Sequence, residues 1–226
     1  KFHGSYDNIE GGHVHTALEE LTNGAGQRWS LRDKSVEQMC HTGELWNRMV
    51  RWNTRGYLMG AGSPSGSDTD VSPLGIVQGH AYSVLDVAVI DGNNLIQLRN
   101  PWGGDTEWKG AWGDNSEMWN ERRKREAYNR MKEHTGQAIE IGQEDGTFWM
   151  SFNDFNLNFA SIYLCRFFDK EWTDVFFESE WSKAGNTAGG CTNYESVPYN
   201  PQMMMTVEAA KGSKPVHVFV ELTLTN

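Results

Sequence analysis

Residues 76–90 and 95–99 are two runs rich in Val, Ile and Leu, held apart only by Asp91-Gly92-Asn93-Asn94. β-Branched side chains favour strands, and Asp, Asn and Gly accept the positive φ of a tight hairpin turn. The two runs are predicted to pair antiparallel, so the fold must be built around one hairpin. A two-residue turn at Gly92-Asn93 would set Asn100 opposite Leu85. His80 would then lie five residues further along, roughly 17 Å away at about 3.4 Å per residue. Bringing His80 to Asn100 therefore requires a bulge or a wider loop between Ala88 and Leu95.

The flanking sequence suits helices on one side and more strands on the other. A short helix near Val14 to Leu21 is bracketed by Gly11-Gly12 and Gly24-Ala25-Gly26. Val36, Met39, Cys40, Trp46, Met49 and Val50 recur at helical spacing behind a capping box formed by Ser35 and Gln38, with Gly43 weakening the middle. Residues 60–70, full of Gly, Ser and Asp, read as a mobile surface loop. Residues 120–134 read as a charged helix with a solvated face, and residues 146–159 as a strand followed by a helix. Beyond Arg166 the texture becomes short β segments around Trp172, Trp181 and the loop 185–190, with a last strand over residues 216–224. The expected architecture is α+β, with a twisted antiparallel sheet over residues 1–166 and the start of an incomplete all-β sandwich over residues 167–226.

Length and charge narrow the function classes. A chain of 226 residues suits one large domain or a domain plus part of a second. Thirty acidic against 20 basic residues give a net charge of −10, which argues against nucleic-acid binding, where a basic surface must neutralise phosphates. No apolar run approaches the roughly 20 residues of a membrane-spanning helix. The opening Lys-Phe-His-Gly-Ser-Tyr has neither an initiator Met nor a signal peptide's apolar core, which suggests a fragment. Cys40, Cys165 and Cys191 are widely spaced and form no CxxC pair, so neither a disulfide framework nor a zinc site is expected, and free thiols fit a reducing cytoplasm.

The candidate chemistry is the pair His80 and Asn100 at the two ends of the hairpin, the Asn followed by Pro101-Trp102-Gly103. A lone His at a strand start decides nothing. A cysteine nucleophile, however, needs an imidazole to take its proton, and that imidazole needs a partner to set its tautomer and orientation. An Asn oxygen can accept the second ring N–H without adding charge, and a neighbouring Trp can keep water from competing.

Several long stretches, in order, resemble the second half of a calpain protease core. They are Gly79-His80-Ala81-Tyr82-Ser83-Val84, then Leu95-Ile-Gln-Leu-Arg-Asn100-Pro-Trp-Gly103, then Glu107-Trp-Lys-Gly-Ala-Trp-Gly-Asp114, and Glu144-Asp145-Gly-Thr147-Phe-Trp-Met-Ser-Phe152. The opening through Gly12 resembles the junction between the two calpain core subdomains, and residues 185–193 with Asn200-Pro201-Gln202 resemble the start of the C2-like domain that follows. The resemblance implies a catalytic base at His80, its orienting partner at Asn100 and a shielding Trp102. It implies backbone hydrogen bonds from Gly12 and Gly79 to an extended peptide substrate, and a gating loop over residues 60–74. It also implies a calcium site built from Glu107, Asp114, Asp145 and the carbonyl of Gln143. Thr147 stands where the family usually has Glu, which predicts a weakened site.

One departure matters more than any match. The family's nucleophile lies in a Gly-x-Cys-Trp context in the first subdomain, and no such sequence occurs here. The resemblance implies that an upstream subdomain of the same parent chain carries the Cys, and that this chain alone is inactive. Two rivals stand beside the calcium-regulated endopeptidase. One is a non-catalytic calpain-like interaction protein with a degenerate nucleophile position, and the other a calcium-binding module with no hydrolytic role.

Overall fold

The computed structural model describes residues 4–6, 11–104, 106–136, 140–168, 170, 172, 173, 175–208, 212, 216, 218–220 and 222. Contacts divide the chain into two compact units, Lys1–Phe168 and Asp169–Asn226. The first contains, in order, α1 (Val14–Thr22), β1 (Ala25–Ser30), α2 (Lys34–His41), α3 (Glu44–Thr54), β2 (Leu58–Gly62), β3 (Ala81–Ile90), β4 (Asn93–Arg99), α4 (Glu121–Thr135), β5 (Thr147–Ser151), α5 (Phe152–Asn158) and β6 (Ser161–Arg166). Its six strands form one antiparallel sheet in the order β1-β6-β2-β3-β4-β5.

The hairpin turns at Asp91-Gly92, one residue earlier than the sequence suggests, with both residues at positive φ (47° and 76°) and Ile90 opposite Asn93. Two successive left-handed residues match the right-handed twist of the flanking strands. Strand β3 begins at Ala81, because residues 76–80 turn through Gln78-Gly79 instead of extending.

The bulge lies elsewhere than expected. Val87 faces Ile96 and Val84 faces Leu98, so Leu85 is the extra residue, and the turn needs no widening between Ala88 and Leu95. Core membership records the shift. Tyr82, Val84 and Val87 share one core with Ile96, Leu98, Phe148 and Met150, whereas Ala88, Ile90, Leu95 and Trp149 belong to a second core on the other face. Trp46, Met49 and Trp52 of α3 and Phe152 and Phe155 of α5 fill the first core; Ala127 and Met131 of α4 fill the second.

Three further expectations are corrected. The long amphipathic helix is two helices, broken at Gly43 (φ 74°), a backbone state that glycine adopts at little cost. Asp33 rather than Ser35 precedes the first of them, and no capping box forms. Gly60-Ala61-Gly62 is not loop but the end of β2, a buried strand between β3 and β6. Small residues are needed there: a Cβ at Gly60 would meet Val14 and the Tyr82 carbonyl, and one at Gly62 would press on the Tyr163 ring. The charged helix α4 does have the solvated face expected of it, with Ala127 and Met131 buried on the other side. Arg122 and Arg123 pair with Asp91, and Arg130 with Asp86.

The second unit contains a short 3-10 turn, Val197–Tyr199, and no strand among its described residues. A strand exists through its ladder partner, and among the described residues Val175-Phe176-Phe177 and Met203-Met204-Met205 find none and are exposed. Asn200 organises the loop 189–200, accepting the Gly189 N–H at 2.8 Å and donating to the Gly190 carbonyl at 2.7 Å. Of the expected strand over residues 216–224, the described residues 216, 218–220 and 222 are not in a strand and the other four lie outside the described residues, as does most of the opening motif before Gly11. No described helix is long and apolar enough to cross a membrane.

Candidate active site

The register that the bulge creates decides what the hairpin ends can do. Continuing the pairing past Ser83 and Arg99 sets Asn100 opposite Tyr82. Side chains alternate between faces with a period of two, so His80, two residues before Tyr82, falls on the same face as Asn100. Without the extra residue, Asn100 would stand opposite Ser83 and His80 would point to the other face.

The two side chains meet, with His80 Nε2 at 2.9 Å from Asn100 Oδ1. Asn100 is fully buried and its amide is locked. Oδ1 also accepts the Trp102 N–H at 3.1 Å, while Nδ2 donates to the Thr106 carbonyl at 3.3 Å. Only Oδ1 therefore faces the ring, and an oxygen can only accept, so Nε2 carries the hydrogen. This leaves Nδ1 as the nitrogen able to take up a proton. Trp102, though more than half exposed, leans over the imidazole with ring centroids 4.3 Å apart. Beneath it an aromatic column runs into the core: His80 on Tyr82 at 5.1 Å, Tyr82 on Phe159 at 5.3 Å, Phe159 stacked on Phe155 at 4.9 Å.

Sequence reasoning missed Ser63, which clamps the backbone of His80. Its N–H and Oγ both reach the His80 carbonyl (3.0 and 3.1 Å), and its Oγ accepts the His80 N–H at 2.9 Å. No residue-type signal marks this Ser among several in the stretch; only the end of β2 beside the start of β3 puts it there. Gly79 sits at φ 57°, its N–H donated to the Pro64 carbonyl at 2.7 Å, and a Cβ would fall 2.2 Å from the Gly66 carbonyl oxygen. Gly12 lies exposed just ahead of α1, and among the described residues no neighbour is close enough to crowd a side chain there.

No thiol of the first unit is placed to serve His80. Cys40 on α2 donates to Asn156 at 3.5 Å, and burial pushes its thiol up. Cys165 is fully buried on β6 opposite Leu58, whereas the end of β6 that approaches Ala81 is Ser161, four residues or about 14 Å away. Cys191 is a free, exposed thiol of the second unit.

The acidic residues singled out in sequence come from two segments that fold onto each other. Glu107 accepts the Gly146 N–H at 2.7 Å, Asp114 accepts the Gly142 N–H at 2.8 Å, and Asp145 accepts the Thr147 N–H at 2.8 Å. Burial, reinforced by the charges of Asp114 and Asp145, pushes Glu107 up to about 7; burial, reinforced by Asp145, pushes Asp114 up to about 6. The Gln143 carbonyl is used internally by the Asp145 N–H at 2.9 Å. Thr147 Oγ1 is buried and finds no hydrogen-bond partner among the described residues. In donor type the group fits a hard cation: mutually repelling carboxylates, each with one oxygen held by a backbone N–H, beside an orphaned hydroxyl. In spacing it is not closed. Among the described residues no three His, Cys, Asp or Glu side chains lie close enough to hold a metal. The segment is also tied to the loop that leads to His80, since Lys109 donates to the Leu74 carbonyl at 2.9 Å and Gly75 lies against the Glu107 carbonyl.

The sequence pattern of the calpain family cysteine proteases matches residues 1–166. The chain is 44% identical over 223 residues to the calpain-type cysteine protease DEK1 of Arabidopsis thaliana, covering 99% of this chain and 10% of the relative. It is 33% identical over 224 residues to the calpain-1 catalytic subunit of Rattus norvegicus, covering 92% of this chain and 29% of that protein. Calpain-B of Drosophila melanogaster is 31% identical over 233 residues, or 92% and 23% of the two chains. The chain belongs to the calpain family of cysteine proteases. It spans about a tenth of the length of the plant relatives and under a third of the animal ones.

Proposed function

We propose that this chain supplies the base and the orienting amide of a Cys-His-Asn centre in a calcium-regulated cysteine endopeptidase of the cytoplasm. The supporting observation is the 2.9 Å contact from His80 Nε2 to an Asn100 oxygen whose orientation is locked. The nucleophile comes from a first core subdomain in the same parent chain. His80 Nδ1 takes the thiol proton, and the thiolate attacks a peptide carbonyl. As the carbon–nitrogen bond breaks, the same nitrogen returns the proton to the departing amine. A water deprotonated at Nδ1 then releases the acid and restores the thiol. Throughout, Asn100 keeps Nε2–H engaged and so holds Nδ1 toward the sulfur, while Trp102 covers that bond. Gly12 and Gly79 bind the backbone of a protein or peptide substrate, Gly79 through its carbonyl because its N–H is committed to Pro64. Residues 63–74, the part of the 60–74 stretch outside β2, act as the gating loop, and residues 167–226 begin a C2-like sandwich. A degenerate, non-catalytic relative has less to recommend it, because nothing would maintain a locked amide aimed at a half-buried imidazole.

The test is reconstitution. The chain alone is expected to show no peptide hydrolysis, and a Gly-x-Cys-Trp subdomain joined in cis is expected to restore thiol-dependent cleavage. Thiol-dependent cleavage by the chain alone would show that the nucleophile has been misplaced.

Calcium regulation is proposed through Glu107, Asp114, Asp145, Thr147 and the Gln143 carbonyl, which would hold the ion once the two segments close on it. The cation would neutralise carboxylates that now repel each other, and the backbone link from Lys109 to Leu74 would carry the change toward Gly79 and His80. With Thr147 in place of a carboxylate, the affinity is expected to be weak. Calorimetric titration of the chain should show weak calcium uptake, absent in Asp145→Ala and at least tenfold tighter in Thr147→Glu. Unchanged affinity in Thr147→Glu would remove this site from the protein.

A further inference from the structure

The bulge at Leu85 carries a polar cluster that the chemistry at His80 does not use. Asp86 is fully buried. One carboxylate oxygen accepts the Val87 N–H at 2.8 Å and the Asn53 side-chain N–H at 2.6 Å; the other accepts Arg130 Nε at 3.0 Å. Arg130 also donates to the Val87 carbonyl at 3.0 Å. Pairing between β2 and β3 stops at Val84, so beyond it the outer edge of β3 has lost its neighbouring strand. The cluster satisfies both polar groups of Val87 there, using Asn53 from α3 and Arg130 from α4. Buried backbone groups do not stay unpaired, and a bulge disrupts the ladder that would otherwise satisfy them. Asp86, Asn53 and Arg130 therefore replace the ladder at the one place where the register shifts.

We infer that Asp86, held by Arg130 and Asn53, is a positioning residue for the His80–Asn100 pair, acting through the bulge. The register shift at Leu85 is what sets His80 on the face of Asn100, and the carboxylate fixes that shift at Leu85. If the Val87 N–H lost its acceptor, the bulge could migrate along β3 or be expelled, and each one-residue slip would carry His80 to the opposite face. The inference rests on the reading of His80 as a base for its importance, but not for its geometry.

The test reads the imidazole itself. In the 226-residue chain labelled with ¹⁵N-histidine, the ring nitrogens of His80, assigned by their loss in His80→Gln, should show an almost pure Nε2–H tautomer at alkaline pH. Asp86→Ala and deletion of Leu85 are expected to relax the ring to the mixed Nε2–H and Nδ1–H population of a free imidazole, as fully as Asn100→Ala does. Asp86→Asn, which keeps an oxygen for Val87, should retain it. Asp91→Asn removes the charge that pairs α4 with the hairpin tip while keeping a residue suited to the positive φ of the turn, and should leave the signature intact. A folded Asp86→Ala chain with the wild-type signature would overturn the inference, as would an equal loss in Asp91→Asn. Should Asp86→Ala fail to fold, Arg130→Gln at the half-exposed end of the cluster takes its place under the same criteria. If the ring responds as stated while the reconstituted enzyme is inactive, the positioning role stands and the assignment of His80 as base fails.

Discussion

In the protein reconstituted with a thiol-bearing subdomain, His80→Ala is expected to lower kcat roughly a thousandfold or more, the range over which a positioned general base contributes. The neighbouring Tyr82 cannot take over. Tyr82, in edge contact with the ring, keeps its hydroxyl in a bond to the Val77 N–H at 2.9 Å, and burial pushes it further up, away from ionisation. Asn100→Ala is expected to lose less, about ten- to a hundredfold, because the base survives and only its tautomer and orientation are released. Substrate affinity should change little in either variant, so the loss should fall on kcat with KM nearly constant. The measurement is steady-state hydrolysis of a fluorogenic peptide, normalised to titratable thiol. Equal losses in the two variants would mean that Asn100 does more than orient the ring. A larger loss in Asn100→Ala would reject His80 as the base.

Phe155→Ala should produce a large stability loss through a side chain that touches no reacting group. Phe155 is fully buried, stacked on Phe159 at 4.9 Å, and sits at the bottom of the aromatic column that ends at His80. Removing a buried Phe side chain costs about 3–5 kcal/mol, the sum of lost transfer energy and the cavity left behind. At roughly 2–4 °C per kcal/mol for a chain of this size, the first unit should melt on the order of 10 °C lower by calorimetry. Phe159 and Tyr82 can relax into the space, so the imidazole should lose order even where the protein stays folded. Phe155→Leu, which refills most of the volume, should recover the greater part of both. A shift of only a degree or two would mean that α5 is not anchored through this side chain.

Much of the fold was legible because the signals were local. The hairpin turn within Asp91–Asn94, though not its exact register, the strand-then-helix at residues 147–158 with Ser151 accepting the Asp154 N–H at 3.0 Å, and the helix over 121–135 follow from turn chemistry, capping and periodicity. Local signals misled where neighbours decided. Gly60-Ala61-Gly62 has the composition of a loop, yet Val14 above and Tyr163 beside it leave room only for small residues, so the same glycines make a tight central strand. Gly43 was recognised as a weak point but not as a full break, because its positive φ depends on where α3 must dock.

The candidate site divides along the same line. The sequence by itself determined which groups were present: an imidazole and an amide at the two ends of one hairpin, a Trp two residues after the amide, three carboxylates in two segments and no cysteine in a nucleophile context. It also carried enough contiguous pattern to place the chain among the calpains. Whether the imidazole and the amide could meet was decided only in three dimensions. An extra residue at Leu85 turns an odd offset into an even one, and alternation with period two makes that the difference between opposite faces and the same face. The residues that stabilise the extra residue, Asp86, Asn53 and Arg130, come from a strand and two helices far apart in the chain. A buried carboxylate acquires such partners through packing, and no spacing in the sequence encodes which ones they are.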